Sequence, residues 1–304
     1  MMANLPNQPS FKYLEPETVA KLSNLGLVSR LVVEGFISGM HRSPHKGFSV
    51  EFAEHRQYVA GDDLRYLDWT VYARTDNFFI KQYEEETNVK AYILLDKSAS
   101  MGFGSGEITK LEYSSYLAAA LSYLMIQQRD GAGLVTFDSK IRRLLPPRSR
   151  PTQLRAILEE MEGIEAGEPS NISQTFHDLA ENIKRRALII VLSDLLGDPA
   201  EILPALQHFR HKKHEVLIFH IFDRQELEFE YQDYATFQDM ETGRSLPLDP
   251  ALFRRTYIER IQAFQSRYRK FASEQRMDYV VLDTSVPYDR SLMAYLSRRK
   301  RTSG

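Results

Sequence analysis

The sequence predicts an α/β fold, a doubly wound and mainly parallel sheet sandwiched by helices, with a smaller N-terminal α+β segment. Three observations support this prediction. Short apolar runs, most clearly residues 187–192, have the length and composition of strands buried on both faces. These runs alternate with helical patterns of ten or more residues, which is typical of β-α-β units. Aspartates follow two of the runs directly, at the sheet edge where ligands bind in such folds.

The first elements belong to the N-terminal segment. Residues 1–12 are polar and contain two prolines, so we expect a loose arm there. Residues 15–39 have a helical pattern that two glycines interrupt, which favours two short helices over one. Residues 48–52 alternate between apolar and polar side chains, which predicts a strand, and residues 78–83 are its expected partner.

The chain is predicted to divide into residues 1–87 and residues 88–304. The N-terminal part contains a segment rich in arginine, aspartate and aromatic side chains, residues 56–74, which includes the only tryptophan. Arginine and carboxylate side chains form geometrically well-defined bidentate pairs. We therefore expect an ion-pair network around Trp69 that holds the N-terminal segment on the main domain. Its members would be Arg56, Asp62, Asp63, Arg65, Asp68 and Arg74.

The main domain is predicted to alternate strands and helices to the end of the chain. An extended hairpin or insert with a turn at residues 242–243 is expected within residues 226–248. The predicted strands are 89–95, 133–137, 141–145, 187–192, 215–222 and 279–282. The predicted helices are 110–128, 151–162, 174–185, 199–212, 250–275 and one at the C-terminus.

The composition narrows the functional classes. The 304 residues include no cysteine, which excludes disulfides, zinc–thiolate sites and cysteine nucleophiles. The 39 basic and 41 acidic side chains give a net charge of −2, so no global attraction to nucleic acid is expected. No apolar run approaches the roughly 20 residues of a membrane-spanning helix, and the N-terminus lacks a signal-peptide pattern. We expect a cytoplasmic protein without nucleic-acid binding or direct membrane insertion.

A candidate metal site follows two of the predicted strands. Asp96, Ser98 and Ser100 alternate directly after the first strand of the main domain, and Asp194 follows the strand at residues 187–192. Carboxylates and hydroxyls form an oxygen-only set that suits Mg²⁺ or Mn²⁺. Taken alone, the turn is equally typical of a strand-end aspartate whose serines cap the next helix. A further hydroxyl is expected from the loop before the helix at 174–185, where three are available: Ser170, Ser173 and Thr175.

The spacing of the residues does not support a nucleotide-binding site or a site of covalent catalysis. The glycines after the first strand lack the third glycine of a dinucleotide-binding loop, whose position is taken by Glu107. The chain contains no P-loop motif. An aspartyl-phosphate enzyme would need a second carboxylate two residues after Asp96, where Ser98 stands.

The order of these residues resembles the metal-ion-dependent adhesion site of von Willebrand factor A domains. That resemblance implies a doubly wound α/β sandwich and a divalent cation held by Asp96, Ser98, Ser100, a hydroxyl and Asp194, with a partner's carboxylate completing the shell. Matching the helix that follows favours Ser170 for the hydroxyl, with Thr175 as the second choice.

The N-terminal third resembles the signature of a bacterial family, the domain-of-unknown-function family fifty-eight. The residues that carry the resemblance include Gly47 to Phe52, Gly61-Asp-Asp63, Arg65 and Asp68-Trp69. The resemblance implies an adaptor or chaperone-like role beside a MoxR-type AAA+ ATPase.

The function that the sequence predicts is therefore a non-enzymatic, metal-dependent protein interaction. The partner would supply an Asp or Glu to Mg²⁺ or Mn²⁺, and a MoxR-type ATPase is the expected partner. Two alternatives remain open at this point: a Mg²⁺-dependent phosphohydrolase that uses the same aspartates, and a structural module whose metal site is empty.

Overall fold

The fold is that of a computed structural model, which describes residues 13, 50–59, 67–85, 89–169 and 171–303. Contacts divide the chain into two units: Ile37–Asn88 forms one, and Met1–Phe36 together with Val89–Gly304 forms the other. The predicted arm and the predicted helices between residues 15 and 39 lie outside the described residues.

The smaller unit contains two antiparallel strands and a short helix. Strand β1 (Val50–Gln57) pairs with β2 (Phe79–Glu85), and the register shifts between Phe52 and Glu54. Helix α1 (Trp69–Thr75) lies between them in sequence. The predicted strand pairing is therefore confirmed, and both strands continue past their predicted ends, to Gln57 and Glu85.

Helix α1 is capped by Asp68, the residue directly before it. The Oδ1 atom of Asp68 accepts hydrogen bonds from two N–H groups of the first turn, which satisfies donors that the helix itself leaves unpaired. The rings of Tyr72 and Phe78 stack at 4.4 Å, whereas the Trp69 side chain is 63% exposed. Three members of the predicted ion-pair network lie outside the described residues: Asp62, Asp63 and Arg65. The network stays a prediction.

The larger unit alternates strands and helices along the chain. Its strands are β3 (Lys90–Asp96), β4 (Gly131–Phe137), β5 (Ile141–Arg148), β6 (Leu188–Ser193), β7 (Glu215–Phe222), β8 (Ala235–Gln238), β9 (Ser245–Leu248) and β10 (Asp278–Asp283). Its helices are α2 (Lys110–Gln127), α3 (Pro151–Glu162), α4 (Ile172–Asn182), α5 (Pro199–His211), α6 (Arg224–Glu228), α7 (Pro250–Glu274) and α8 (Tyr288–Ser303).

Six of these strands form one sheet in the order β10-β7-β6-β3-β4-β5. All neighbouring pairs are parallel except β4 with β5, which is antiparallel and places β5 at the edge. Helix α2 contacts both α3 and α8, and α5 contacts both α4 and α7, which gives two sets of packed helices. The predicted doubly wound, mainly parallel α/β fold is therefore confirmed.

The central strands are almost entirely apolar because they are buried in the core. Every residue of β4 and β6 is buried, as expected for parallel strands covered by helices on both faces. Phe137 of β4 lies edge-to-face with Phe176 of α4, and Phe176 with Phe209 of α5, at ring distances of 5.5 and 5.8 Å. Burial of each such side chain contributes about 2 kcal/mol to stability.

Two local features depart from or extend the predicted pattern. Helix α4 begins at Ile172, two residues before the predicted start, because the Asn171 side chain accepts a hydrogen bond from Gln174 N and caps it. The predicted insert is a short helix, α6, followed by the antiparallel β8–β9 hairpin. Among the described helices, none is both long and apolar enough to cross a membrane.

Candidate metal centre

The two predicted aspartates stand at the same edge of the sheet. Asp96 is the last residue of β3, and Asp194 directly follows the last residue of β6. Strands β3 and β6 are parallel neighbours, with Leu95 opposite Leu192. Their position at this carboxyl-terminal edge agrees with the strand pattern, and both side chains are buried there.

Asp96 is fully buried, and its environment disfavours its negative charge. Burial and the nearby negative charge of Asp194 together raise the pKa of Asp96 to about 7. Two donors act in the opposite direction: Ser98 N donates to Asp96 Oδ1 at 2.9 Å, and Ser193 Oγ donates to Asp96 Oδ2 at 2.5 Å. The donors do not fully compensate the charge, so the carboxylate would be stabilised by a nearby cation.

The two predicted serines connect the aspartates. Ser98 Oγ and Ser100 Oγ lie 3.2 Å apart, and both side chains are buried. The side chain of Ser98 also hydrogen-bonds Asp96, and that of Ser100 hydrogen-bonds Asp194. The structure therefore brings four of the five predicted residues together as one cluster of oxygen atoms.

The fifth predicted residue, Ser170, lies outside the described residues. The loop that precedes it packs against the serine turn, because Ala99 N donates to Glu168 O at 3.3 Å and Gly167 N donates to Lys97 O at 2.7 Å. Pro169 and Ser100 line the same cavity. The contribution of Ser170 to the site stays a prediction.

The two other hydroxyls that the sequence offered are in helix α4. Ser173 Oγ donates to Glu201 O of α5 at 3.1 Å, so its hydrogen bond is directed to another helix. Thr175 lies on the buried face of α4, and within the described part of the chain its Oγ1 has no hydrogen-bond partner.

A buried lysine that the sequence analysis missed contacts the second aspartate. Lys110 is 1% exposed, and its Nζ lies 2.7 Å from Asp194 Oδ2 and 2.7 Å from Glu226 Oε1. Burial by itself would raise the pKa of Asp194, but the charge and hydrogen bond of Lys110 outweigh it and lower that pKa. A sequence signal existed: a lysine in the first turn of a helix opposes the helix dipole and needs a specific partner.

The pKa of Lys110 is shifted in the opposite direction to that of Asp194. Burial by itself would lower the pKa of Lys110, but the charges of Asp194 and Glu226 outweigh it and raise that pKa, so the ammonium group stays protonated. Burial raises the pKa of Glu226, which Lys110 partly opposes. One lysine therefore serves two carboxylates, and Asp96 is left without a cation of its own among the described contacts.

A histidine holds the backbone of the second aspartate in place. His220 Nε2 lies 2.7 Å from Asp194 O, and Nδ1 lies 2.7 Å from the hydroxyl of Tyr279. Burial lowers the pKa of His220 to about 4, so the ring is neutral near neutral pH. Because a carbonyl oxygen only accepts, Nε2 donates to Asp194 O and Nδ1 accepts from Tyr279.

Another acidic side chain reaches the site from the insert. Ser100 N donates to Glu241 Oε1 at 3.1 Å, although the two residues are 141 positions apart. Between the insert and the site lies a cavity of about 810 Å³, to which Ser100, Glu226 and Glu241 contribute. The sequence pattern predicted an extended hairpin or insert here, but no local signal pointed to a role for Glu241.

The residues present fit a hard divalent cation. The donor set consists of two carboxylates and two hydroxyls, which are the ligand types that Mg²⁺ and Mn²⁺ prefer. Burial and the negative charge of Asp194 raise the pKa of Asp96, so a nearby cation would stabilise its carboxylate. No group of three or more His, Asp or Glu side chains that could hold a metal occurs within the described residues, so the hydroxyls are essential to this set.

Comparison with family models and curated proteins gives one family. The family model described as "Protein of unknown function DUF58" matches residues 54–267, well over half of the chain. Uncharacterized proteins of Mycobacterium tuberculosis and Mycobacterium bovis are each 28% identical to this chain over 244 residues. These matches cover 78% of this chain and 76% of each relative.

Solved structures that are similar to this chain include two Bacteroides proteins. One is BatB, a conserved hypothetical protein from Bacteroides thetaiotaomicron, with a TM-score of 0.46 and 17% identity. The other is an aerotolerance-related membrane protein from Bacteroides fragilis, with a TM-score of 0.46 and 15% identity. Each match covers 70% of this chain and 99% of the other.

Proposed function

The chain belongs to the DUF58 family, and we propose that it is a non-enzymatic adaptor whose protein interaction depends on a divalent cation. Mg²⁺ or Mn²⁺ would be held by oxygen atoms from five residues: Asp96, Ser98, Ser100, Ser170 and Asp194. A carboxylate from a partner protein would complete the coordination.

The observation that carries the proposal is the convergence of two buried strand-end aspartates through two serine hydroxyls. Within the described part of the chain, the carboxylates of Asp96, Asp194 and Glu226 lie in this region with one ammonium group, that of Lys110. A dication balances the remaining negative charge. An incompletely coordinated dication also attracts a further carboxylate, which is the property that a switchable protein interaction needs.

The partner in this proposal is a protein that presents an aspartate or glutamate at its surface. The resemblance to the family's signature residues favours a MoxR-type AAA+ ATPase, with a chaperone-like role for the pair. We place this interaction in the cytoplasm, as the sequence composition suggested.

Isothermal titration of Mn²⁺ into the metal-free protein tests the metal site. We expect the wild type to bind and Asp96→Ala to give no binding heat while keeping its fold, because the variant loses a ligand and also a destabilised buried charge. Asp233→Asn is the control, since it removes an exposed carboxylate of the insert that does not line the cavity. Indistinguishable heats for the wild type and Asp96→Ala would contradict the proposal.

A second measurement separates the adaptor from an enzyme. The wild type is incubated with Mg²⁺ and a set of phosphomonoesters, and no turnover is expected. Turnover that is lost in Asp194→Ala would replace the adaptor proposal with a phosphohydrolase that uses the same aspartates.

A further inference from the structure

We propose that Lys110 is an internal competitor of the divalent cation, because its ammonium group occupies an oxygen atom of Asp194 that would otherwise be available to the metal. The inference rests on the proposed function, since it assigns the regulation of that same site. In the metal-free state Lys110 neutralises Asp194, and metal binding leaves the ammonium group to Glu226. A residue that is not itself a ligand thereby sets the affinity of the site for metal.

Both oxygen atoms of the Asp194 carboxylate already accept hydrogen bonds. Leu196 N donates to Oδ1 at 3.1 Å, and Lys110 Nζ donates to Oδ2 at 2.7 Å. The backbone donor belongs to the turn that follows β6, whereas the ammonium group is a donor that another cation can replace. A divalent cation bound to the same carboxylate would lie close to the ammonium group, and the two positive charges would repel each other. Metal and lysine therefore compete for Asp194.

The burial of the ion pair makes this competition strong. The side chain of Lys110 is 1% exposed and that of Asp194 is 4% exposed, so solvent ions screen the charges only weakly. Lys110 is the first residue of α2, where Thr109 and Glu112 form a capping box. The start of the helix thus fixes the backbone of Lys110, and displacement by a metal involves only the end of the side chain.

Glu226 offers the displaced ammonium group a partner that is held in place. Its Oε1 lies 2.7 Å from Lys110 Nζ, and its Oε2 accepts a hydrogen bond from Asp223 N at 2.8 Å. Asp223 is held in turn by Ser105, whose N donates to Asp223 Oδ2 at 3.0 Å. Because Glu226 attracts Lys110 away from Asp194, it favours metal binding without contacting the metal.

The competition predicts that loss of the lysine strengthens metal binding. Without the ammonium group, Asp194 and Glu226 are buried carboxylates that lack this cation, and buried charges without compensation are costly. A divalent cation relieves that cost, so the substitution that destabilises the metal-free fold should also increase the affinity for metal. A purely structural role for Lys110 would give the opposite result, because a disturbed site binds metal less well.

Titration of the full chain with Mn²⁺ alone tests the inference by calorimetry. We expect Lys110→Met to bind Mn²⁺ at least about tenfold more tightly than the wild type, because the repulsion from the ammonium group is removed. The melting temperature gives a second reading, since Mn²⁺ should raise it more in Lys110→Met than in the wild type. Lys212→Met is the control, because Lys212 pairs with Glu181 at the exposed surface and should retain the wild-type affinity.

A second variant, Glu226→Gln, should change the affinity in the opposite direction. Glutamine can still accept the hydrogen bond of Asp223 N, but it leaves Asp194 to hold the ammonium group, so the Mn²⁺ affinity should fall by about three- to tenfold. Most of that loss should be absent when Glu226→Gln is added to Lys110→Met, because Glu226 acts through Lys110. Glu228→Gln is the control on the same helix, since Glu228 pairs with a solvent-accessible arginine.

The outcomes separate this inference from the proposed function. Equal or weaker Mn²⁺ binding in a folded Lys110→Met would overturn the competition and leave the adaptor proposal standing. If Lys110→Met does not fold, Glu226→Gln decides: weaker binding supports the competition, and unchanged or tighter binding overturns it. Binding by Lys110→Met but not by the wild type would support the competition and contradict the adaptor proposal. Absence of binding in both folded proteins would overturn both.

Discussion

Lys110 largely determines the electrostatics of the candidate site. Its ammonium group is almost fully enclosed and contacts Asp194 and Glu226 at 2.7 Å each. Transfer of an ion pair from water to a protein interior is costly, so the pair by itself adds little to stability. Removal of one partner is different, because the remaining charges are then buried without compensation.

We therefore expect Lys110→Met, in the absence of metal, to lower the free energy of unfolding by about 3–5 kcal/mol. Methionine preserves most of the side-chain volume, so the loss reports charge rather than packing. Lys212→Met is the control, because Lys212 pairs with Glu181 at the solvent-exposed surface and should change stability little. Urea unfolding of the three proteins measures the effect, and equal stability of the two variants would show that Lys110 is dispensable.

At the scale of elements, strand β5 forms one edge of the main sheet. This strand carries Pro146 and Pro147, which lack the backbone N–H of an inner strand and are tolerated at a sheet edge. Its neighbour β4 approaches it closely at Gly133, where a Cβ atom would lie 2.7 Å from Leu145 O and 2.8 Å from Pro147 N. The pairing of the two strands therefore depends on the missing side chain.

Gly133→Ala should force these two strands apart and lower the free energy of unfolding by about 1–3 kcal/mol. Gly106→Ala is the matched control, since nothing lies within 4 Å of its added Cβ, and a change below about 0.5 kcal/mol is expected. Thermal or denaturant unfolding of both variants measures the difference. A Gly133→Ala protein as stable as Gly106→Ala would mean that the edge strand shifts without cost.

At the scale of the whole molecule, buried ionisable side chains lie at both ends of the strands of the main sheet, for different reasons. The carboxyl-terminal edge gathers Asp96, Asp194 and Lys110 into the candidate site. The amino-terminal edge holds Asp130, whose Oδ1 accepts a hydrogen bond from Val89 N at 2.8 Å and joins the starts of β3 and β4. Burial raises the pKa of Asp130 to about 7, and the hydrogen bond from Val89 only partly opposes it.

This pKa makes stability depend on pH. The folded chain holds the proton of Asp130 more tightly than the unfolded chain, so its stabilising effect is complete below about pH 4 and is lost as the pH rises through about 7. Asp130→Asn cannot ionise. The difference in free energy of unfolding, Asp130→Asn minus wild type, should increase between these pH values. It should reach roughly 2–4 kcal/mol at about pH 8.

Unfolding curves of the wild type, Asp130→Asn and Asp233→Asn over this pH range check the expectation. The exposed Asp233 serves as the control, and its variant should follow the wild-type curve. A stability difference between Asp130→Asn and the wild type that does not vary with pH would show that the carboxyl does not titrate in the folded chain.

The sequence by itself determined the fold class and the serine turn. Apolar runs separated by helical patterns fixed the alternation of elements, and Asp96, Ser98 and Ser100 meet because they follow one strand within five residues. The position of Asp194 was also predictable, because parallel neighbouring strands end at one edge. Ends of helices were less predictable: a single side chain, Asn171, moved the start of α4.

Only the tertiary structure decided which charges surround that turn. Lys110 reaches Asp194 across 84 positions and Glu226 across 116, and Glu241 reaches Ser100 across 141. Each of these contacts depends on helix packing and on how the hairpin folds over the sheet, which local periodicity does not encode. A short motif therefore specifies the candidate ligands, whereas the charges that surround them come from distant elements.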